Sequence, residues 1–265
     1  MNILILKNTV FFLLIIFLNV SAFSDTDLEK KGTEIAIEAD KRDRGFVDNY
    51  VELEMILKNK HNQKTTRYMR NTSREQLNDG DKTLIIFDNP RDVKGTAFLS
   101  HTHKTGPDDQ WLFLPALKRV KRISSNNKSG PFMGSEFAYE DIASQEIEKY
   151  TYKYISSDLF NERKHFIIER YPVDKKSGYS RQVVWIDEKE YRVWKIEFYD
   201  RKNDLLKTLD YMGYKQYLNK YWRADKLEMI NHQTGKSTIL NFKDYKFSIG
   251  TTEKDFTANR LKSVR

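Results

Sequence analysis

Two short strands of this chain are apolar on both faces, which restricts the kind of sheet that can contain them. Residues 84–87 read Leu-Ile-Ile-Phe, and residues 111–114 read Trp-Leu-Phe-Leu. Turn residues bound the first run on both sides, and Pro115 ends the second. An antiparallel sheet with one face in water alternates apolar and polar side chains. These strands therefore need cover on both faces, from a helix, a partner protein or a bound apolar ligand.

Apolar and polar residues alternate through most of the chain, which predicts an extended antiparallel sheet. The strands are predicted at residues 51–57, 65–70, 83–87, 95–103, 110–114, 118–123, 164–171, 181–186, 191–199, 205–217, 221–230 and 237–247. One amphipathic helix is predicted over residues 26–44, with Thr26 and Glu29 as a capping box and Gly45 past its end. The pattern predicts a mainly β fold with covering helices and no internal domain boundary.

The N-terminus has the pattern of a secretion signal. Lys7 precedes an apolar run at residues 10–18, and Val-Ser-Ala at residues 20–22 resembles a signal-peptidase site. The apolar run is also just long enough for a retained membrane anchor, because a span takes ~20 apolar residues. We predict a cleaved signal peptide over residues 1–22 and a single domain over residues 23–265.

Composition excludes several classes of site. The 265 residues contain no cysteine, so disulfides and thiolate metal sites are excluded, and export without disulfides fits a bacterial periplasm. The formal net charge is +8. Such a basic excess can attract anionic lipid head groups or nucleic acid, and export favours the lipid.

Catalytic patterns are sparse. The sequence contains no G-x-S-x-G, no H-E-x-x-H and no glycine-rich phosphate loop. His101 and His103 share one face of a predicted strand, where two zinc ligands could lie, but a third ligand at a defined spacing is missing. We predict no catalytic residue, no metal and no cofactor.

A dense basic run follows the second apolar strand. It predicts either a contact for phosphate head groups or an acidic partner, or an edge strand whose cations discourage further pairing. Nucleic-acid binding is a third interpretation, which the signal peptide disfavours. The cations of this run are Lys118, Arg119, Lys121 and Arg122.

The segment after a Ser/Asn/Gly loop carries unusually large apolar side chains for its length. It predicts either a permanently packed cover or a lid over an apolar cavity. Its large side chains are Phe132, Met133, Phe137 and Ile142.

At residues 89–142 the chain resembles the LolA-like, outer membrane lipoprotein-sorting proteins of Gram-negative bacteria. This block includes QWLFLPALKRVKRISSNNKSGPFMGSEFAYEDI, and residues 231–247, NHQTGKSTILNFKDYKF, resemble the strand pair near that family's C-terminus. The resemblance implies an incomplete, strongly curved antiparallel β-barrel of the LolA/LolB kind, with helices covering a hydrophobic cavity. Family members often occur beside inner-membrane exporters of the resistance-nodulation-division (RND) type. The resemblance is one of fold, so function follows only by analogy.

The resemblance implies a periplasmic carrier that moves a lipid or lipoprotein acyl chains from the inner toward the outer membrane. We expect a monomer that contacts the membrane transiently, with an RND-type exporter as a possible partner and no nucleic acid. A non-carrying accessory subunit of such an exporter is the alternative, and a hydrolase using Ser100 and His101 is a weaker one. The side chains expected to line the cavity are Leu84, Ile86, Ala97, Leu99, Trp111 and Phe113.

Overall fold

The computed structural model describes residues 24–263, and the predicted signal peptide lies outside the described residues. A single antiparallel sheet dominates this part of the chain. Its strands are β1 (Asp48–Lys58), β2 (Lys64–Arg74), β3 (Lys82–Asn89), β4 (Ala97–His101), β5 (Asp109–Leu114), β6 (Arg119–Ile123), β7 (Tyr150–Phe160), β8 (Arg163–Pro172), β9 (Tyr179–Asp187), β10 (Val193–Asp200), β11 (Leu205–Tyr217), β12 (Tyr221–Asn231) and β13 (Ser237–Phe247).

The order of the strands shows where the sheet is open. From edge to edge it runs β6-β5-β4-β3-β2-β1-β13-β12-β11-β10-β9-β8-β7. Except for β6 and β7, strands that follow one another in the chain pair with each other, and β1 pairs with β13, with Leu53 opposite Phe242. The two free edges, β6 and β7, are joined by residues 124–149, which cross the gap. The predicted incomplete barrel with covering helices is confirmed.

The long helix α1 (Asp25–Asp43) packs on β7. Its capping box uses Ser24 and Asp27, two residues earlier than the predicted Thr26 and Glu29. The Ser24 hydroxyl oxygen accepts from the Asp27 amide at 3.2 Å, which is the bond that an N-cap serine makes to the first turn. Gly32 permits the close contact, since a Cβ there would lie 2.7 Å from the backbone of Lys153.

The other helical pieces are short. They are α2 (Tyr139–Ile142) and the 3₁₀ turns Pro115–Leu117, Ser125–Asn127, Phe132–Gly134, Ile147–Lys149, Glu253–Phe256 and Arg260–Lys262. Over residues 24–263, no helix is both long and apolar enough to span a membrane.

Both faces of the sheet carry apolar clusters. On the inner face, which α1 and residues 124–149 cover, a large core includes Leu53, Met55 and Phe98. On the opposite, outer face a smaller cluster forms around Phe256 and Leu261, whose side chains are 1% and 0% exposed. The two-sided apolar strands are explained by these two covers, since adjacent residues of one strand belong to different clusters.

Candidate functional site: a cavity under the inner face

A cavity of about 890 Å³ lies between α1, the inner face of the sheet and residues 137–147. Its volume falls in the range of small-molecule and cofactor sites, which is about 300–1,000 Å³. The wall is mainly aliphatic and aromatic where the sheet forms it. Apolar side chains in this wall include Leu53, Ile85, Ile168, Val184, Leu227 and Leu240.

The lid segment, defined as residues 131–142, fills one side of the cavity. Phe132 is fully buried, with ring centroids 5.1 Å from Phe98 and 5.6 Å from Tyr139. Phe137 and Ile142 line the cavity itself. Met133 is partly buried against the inner core. The four side chains predicted for the lid thus belong to a packed cover, two of them facing the cavity.

A buried ion pair anchors the lid segment to the sheet. The Lys207 Nζ of β11 lies 2.7 Å from Asp141 Oδ2, and the two side chains are 4% and 6% exposed. Asp141 also accepts bonds from the Ala138 amide at 2.7 Å and the Tyr179 hydroxyl at 2.8 Å. Both oxygens of this carboxylate accept hydrogen bonds, so opening the lid segment requires breaking a buried hydrogen-bonded network.

Further bonds hold the rest of the lid segment. Asn231 Nδ2 donates to Glu136 Oε2 at 2.7 Å, and the Glu136 amide donates to Thr238 Oγ1 at 3.0 Å. The Arg67 guanidinium donates to the carbonyl oxygen of Met133. These contacts tie the segment to strands in both halves of the sheet.

The six side chains predicted for the cavity wall lie on the outer face and do not line this inner-face cavity. In the register of the sheet, Leu84 lies opposite Leu99, and Leu99 lies opposite Trp111. The six side chains therefore share one face, as expected from the alternation. That face is the one covered by Phe256 and Leu261. Their inward-pointing neighbours are Ile85, Phe98 and Leu112. The six side chains found on the outer face are Leu84, Ile86, Ala97, Leu99, Trp111 and Phe113.

The basic run forms the free edge strand β6. Its cations do not share a face, because Arg119 and Lys121 alternate with Arg122. Arg122 is exposed and pairs with Asp109. Lys118 precedes the strand in a left-handed conformation with φ 47°. None of these four side chains is among the described residues that line the cavity.

The two histidines of the predicted strand have structural partners, although β4 ends at His101 and His103 lies beyond it. His101 Nε2 lies 2.7 Å from the Phe256 carbonyl oxygen, so it helps to fix the C-terminal cover. His103 lies between Asp79 and Asp109, at 2.6 and 3.3 Å. Within residues 24–263, no group of three histidines or carboxylates is arranged to hold a metal ion.

The cavity wall also carries the partly buried Asp81. Burial raises the pKa of Asp81 to about 7, and the negative charge of the nearby Glu146 adds to the effect. Glu146 is itself 2% exposed and pairs with Arg44 at 3.0 Å. Asp81 therefore changes charge near neutral pH.

Replacing Asp81 by asparagine is expected to remove a pH-dependent component of stability. The pKa of about 7 lies above the ordinary value of 3.8, so the folded state binds this proton more tightly than the unfolded state. Protonation thus stabilises the fold fully below the ordinary value, and this stabilisation is lost as pH rises through about 7. Urea denaturation measures the free energy of unfolding as the pH rises through about 7. For Asp81→Asn this free energy should fall less steeply with pH than for the wild type, by at least about 1 kcal/mol in total. Identical slopes in the two proteins would contradict the expectation.

Most of the cavity wall comes from strands β7 to β13, in which no site residue was predicted from the sequence. Tyr152 of β7, Ile168 of β8 and Val184 of β9 all face the cavity, as does Tyr211 of β11. A signal for them existed: β-branched and aromatic residues recur at alternate positions of these strands. The larger apolar runs of β3 and β5 led the prediction to those strands instead.

Comparison with known proteins places the chain in a family. A crystal structure from Vibrio parahaemolyticus, provisionally named an outer membrane lipoprotein-sorting protein domain, is 59% identical. The match covers 88% of this chain and 99% of that one, with a TM-score of 0.87. The chain belongs to this lipoprotein-sorting protein family. A family profile described only as an uncharacterized protein matches residues 79–263, and no functionally curated protein matches.

Two further structures share the fold of this lipoprotein-sorting family member. A DUF1329 family protein from Desulfovibrio piger is 27% identical, covers 88% of this chain and 99% of its own, and has a TM-score of 0.83. A LolA superfamily protein from Nitrosomonas europaea is 20% identical, with 90% and 100% coverage and a TM-score of 0.68. The second likeness shows the fold alone, and it agrees with the curved, incomplete barrel.

Proposed function

We propose that this protein is a carrier that binds the acyl chains of a lipid or lipoprotein in the inner-face cavity. The observation that supports the proposal is the cavity itself, about 890 Å³ with an aliphatic and aromatic wall formed by the sheet. Transfer of an acyl chain from water to such a wall is worth ~0.8 kcal/mol per CH₂ group. A carrier needs no reaction, and the proposed role is therefore not enzymatic.

Loading and release would depend on the lid segment. Phe137 and Ile142 close the cavity on that side, while the Asp141–Lys207 pair fixes the segment to the sheet. In the proposed cycle a donor or acceptor shifts the population toward an open form by binding it preferentially. The cargo then passes to whichever partner binds it better.

The proposed setting is the bacterial periplasm, with residues 1–22 removed on export and residues 23–265 acting as one monomeric domain. Transfer would run from the inner toward the outer membrane, with an RND-type exporter as the inner-membrane partner. The edge cations Lys118, Arg119, Lys121 and Arg122 would contact lipid head groups or an acidic partner. Support for that contact is their position on the free edge of β6, where three of them are exposed as strand residues.

Native mass spectrometry of gently purified protein tests the proposal directly. The expected result is a co-purifying lipid, and stoichiometric uptake of a fluorescent fatty acid after delipidation. Repeated absence of both would overturn the carrier function.

Filling the cavity is expected to block uptake. Ala39 lines the cavity from α1, so the indole of Ala39→Trp would occupy part of the cargo volume. We expect fatty-acid affinity to fall by roughly tenfold or more, because overpacking such a site costs ~1–3 kcal/mol. Ile37→Trp is the matched control, since Ile37 lies on the same helix and is 49% exposed. Equal uptake by the two variants would argue against this cavity as the binding site.

A further inference from the structure

Arg170 of β8 is a cationic side chain in the wall of the cavity. Its Nε donates to Gln182 Oε1 at 2.7 Å, and its guanidinium carbon lies 4.6 Å from the centre of the Tyr150 ring. These contacts fix the plane of the guanidinium from one side. The two terminal nitrogens donate no hydrogen bond to any of residues 24–263.

Other cations around the cavity have hydrogen-bonding partners, most of them carboxylates, while Lys220 donates to the Arg44 carbonyl oxygen at 2.7 Å. Lys207 pairs with Asp141 at 2.7 Å, and Arg44 pairs with Asp40 at 2.6 Å. For Arg170, no carboxylate oxygen of the described chain lies within the 4 Å of an ion pair. Asp141 lines the same cavity but already accepts from Lys207, Tyr179 and Ala138. The positive charge of Arg170 therefore has no carboxylate partner among residues 24–263.

The surroundings of Arg170 strengthen its attraction for an anion. Ile168 and Val184 line the cavity beside it on the sheet, together with Tyr211. Burial raises the pKa of Tyr211 to about 12, so its phenol stays neutral and cannot balance the guanidinium. A charge–charge contact is worth more in such a low-dielectric wall than in water. The planar guanidinium also matches a carboxylate or phosphate with two parallel hydrogen bonds.

We propose that the cavity takes an anionic amphiphile, with its carboxylate or phosphate on Arg170 and its acyl chain along the apolar wall. This inference rests on the proposed carrier function and narrows its cargo. The acyl anchor of a lipoprotein is held by ester and amide bonds and has no anionic head of its own. A free fatty acid or an anionic lipid fits the site better.

Displacement of the neutral fluorophore N-phenyl-1-naphthylamine from delipidated protein tests the proposal. The competitors are palmitate, palmitoyl lysophosphatidic acid and hexadecanol, which share a chain length and differ in head group. The wild type should bind at least one anionic competitor roughly tenfold or more tightly than hexadecanol, because a hydrogen-bonded charged pair exceeds ~1.4 kcal/mol. Whichever anion binds better distinguishes a carboxylate cargo from a phosphate cargo.

In Arg170→Gln the preference for the anions should disappear, while hexadecanol binding stays within about twofold. Arg163→Gln is the matched control, since Arg163 is an exposed residue of the same strand outside the cavity wall. Circular dichroism checks that both variants fold. Equal binding of all three competitors by the wild type, or an unchanged preference in Arg170→Gln, overturns this inference and leaves the carrier proposal standing. Failure of every competitor to bind overturns both.

Discussion

Lys207→Met is expected to lower the free energy of unfolding by about 3–5 kcal/mol, because it leaves the carboxylate of Asp141 buried without its cation. The two side chains are 4% and 6% exposed, so water cannot replace the ammonium. Lys207 also donates to the Glu136 carbonyl oxygen at 2.9 Å, so the lid segment loses two bonds at once. Urea denaturation measures the loss. Hydrogen exchange over residues 131–142 should accelerate in parallel.

A double variant separates the cost of leaving the Asp141 charge unpaired from the cost of losing the packing of the Lys207 side chain. Asp141→Asn combined with Lys207→Met removes both charges and keeps an oxygen acceptor for the Ala138 amide. We expect it to recover more than half of the lost stability, since neutral replacement of a buried pair is often tolerated. Lys215→Met on the same strand removes an exposed pair with Asp225 and should cost less than about 1 kcal/mol. If the stability losses of Asp141→Asn and Lys207→Met simply added in the double variant, the argument would be contradicted.

Phe256→Ala is expected to destabilise the protein by about 3–5 kcal/mol and to leave fatty-acid affinity unchanged. The ring is 1% exposed and packs on the outer face against Leu84, Ala97 and Leu99, so truncation leaves a cavity there. That cavity is separated by the sheet from the inner-face site. Thermal denaturation and fluorescent fatty-acid titration measure the two effects on the same sample.

Lys254→Ala is the control for Phe256→Ala. Lys254 is an exposed residue of the same 3₁₀ turn, and such surface changes usually stay within ±0.5 kcal/mol. A large loss of fatty-acid binding in folded Phe256→Ala would restore the outer face as the cargo site.

The outer-face position of the six predicted wall residues shows what alternation in a strand can establish. It correctly grouped Leu84, Leu99 and Trp111 on one face, because side chains alternate with a period of two. It could not choose which face meets the cavity, since Ile85 and Phe98 on the other face are equally apolar. The choice depends on what covers each face. Only the folded chain shows that residues 253–262 return to the outer one.

Strand β7 was not predicted at all. Its side chains are mostly exposed or half-buried, and Tyr152 is the one buried residue in its span. It is an edge strand of the sheet, and α1 packs against it. A weakly apolar edge gives little periodic signal. The anchoring pair of the lid was equally hidden, because Asp141 and Lys207 are 66 residues apart and nothing local links them.

The pairing of β1 with β13 has a consequence for how this sheet assembles. Every other strand pair joins neighbours in the chain, so two separate meanders can form from local contacts. The seam between them, which is the pairing of β1 with β13, cannot form before the last strand of the chain is in place. Until then β1 and β12 both present unpaired edges, and such edges recruit other chains. Closing the seam between the two ends of the polypeptide is thus the step with the largest loop-closure cost, and it commits both halves to a single sheet.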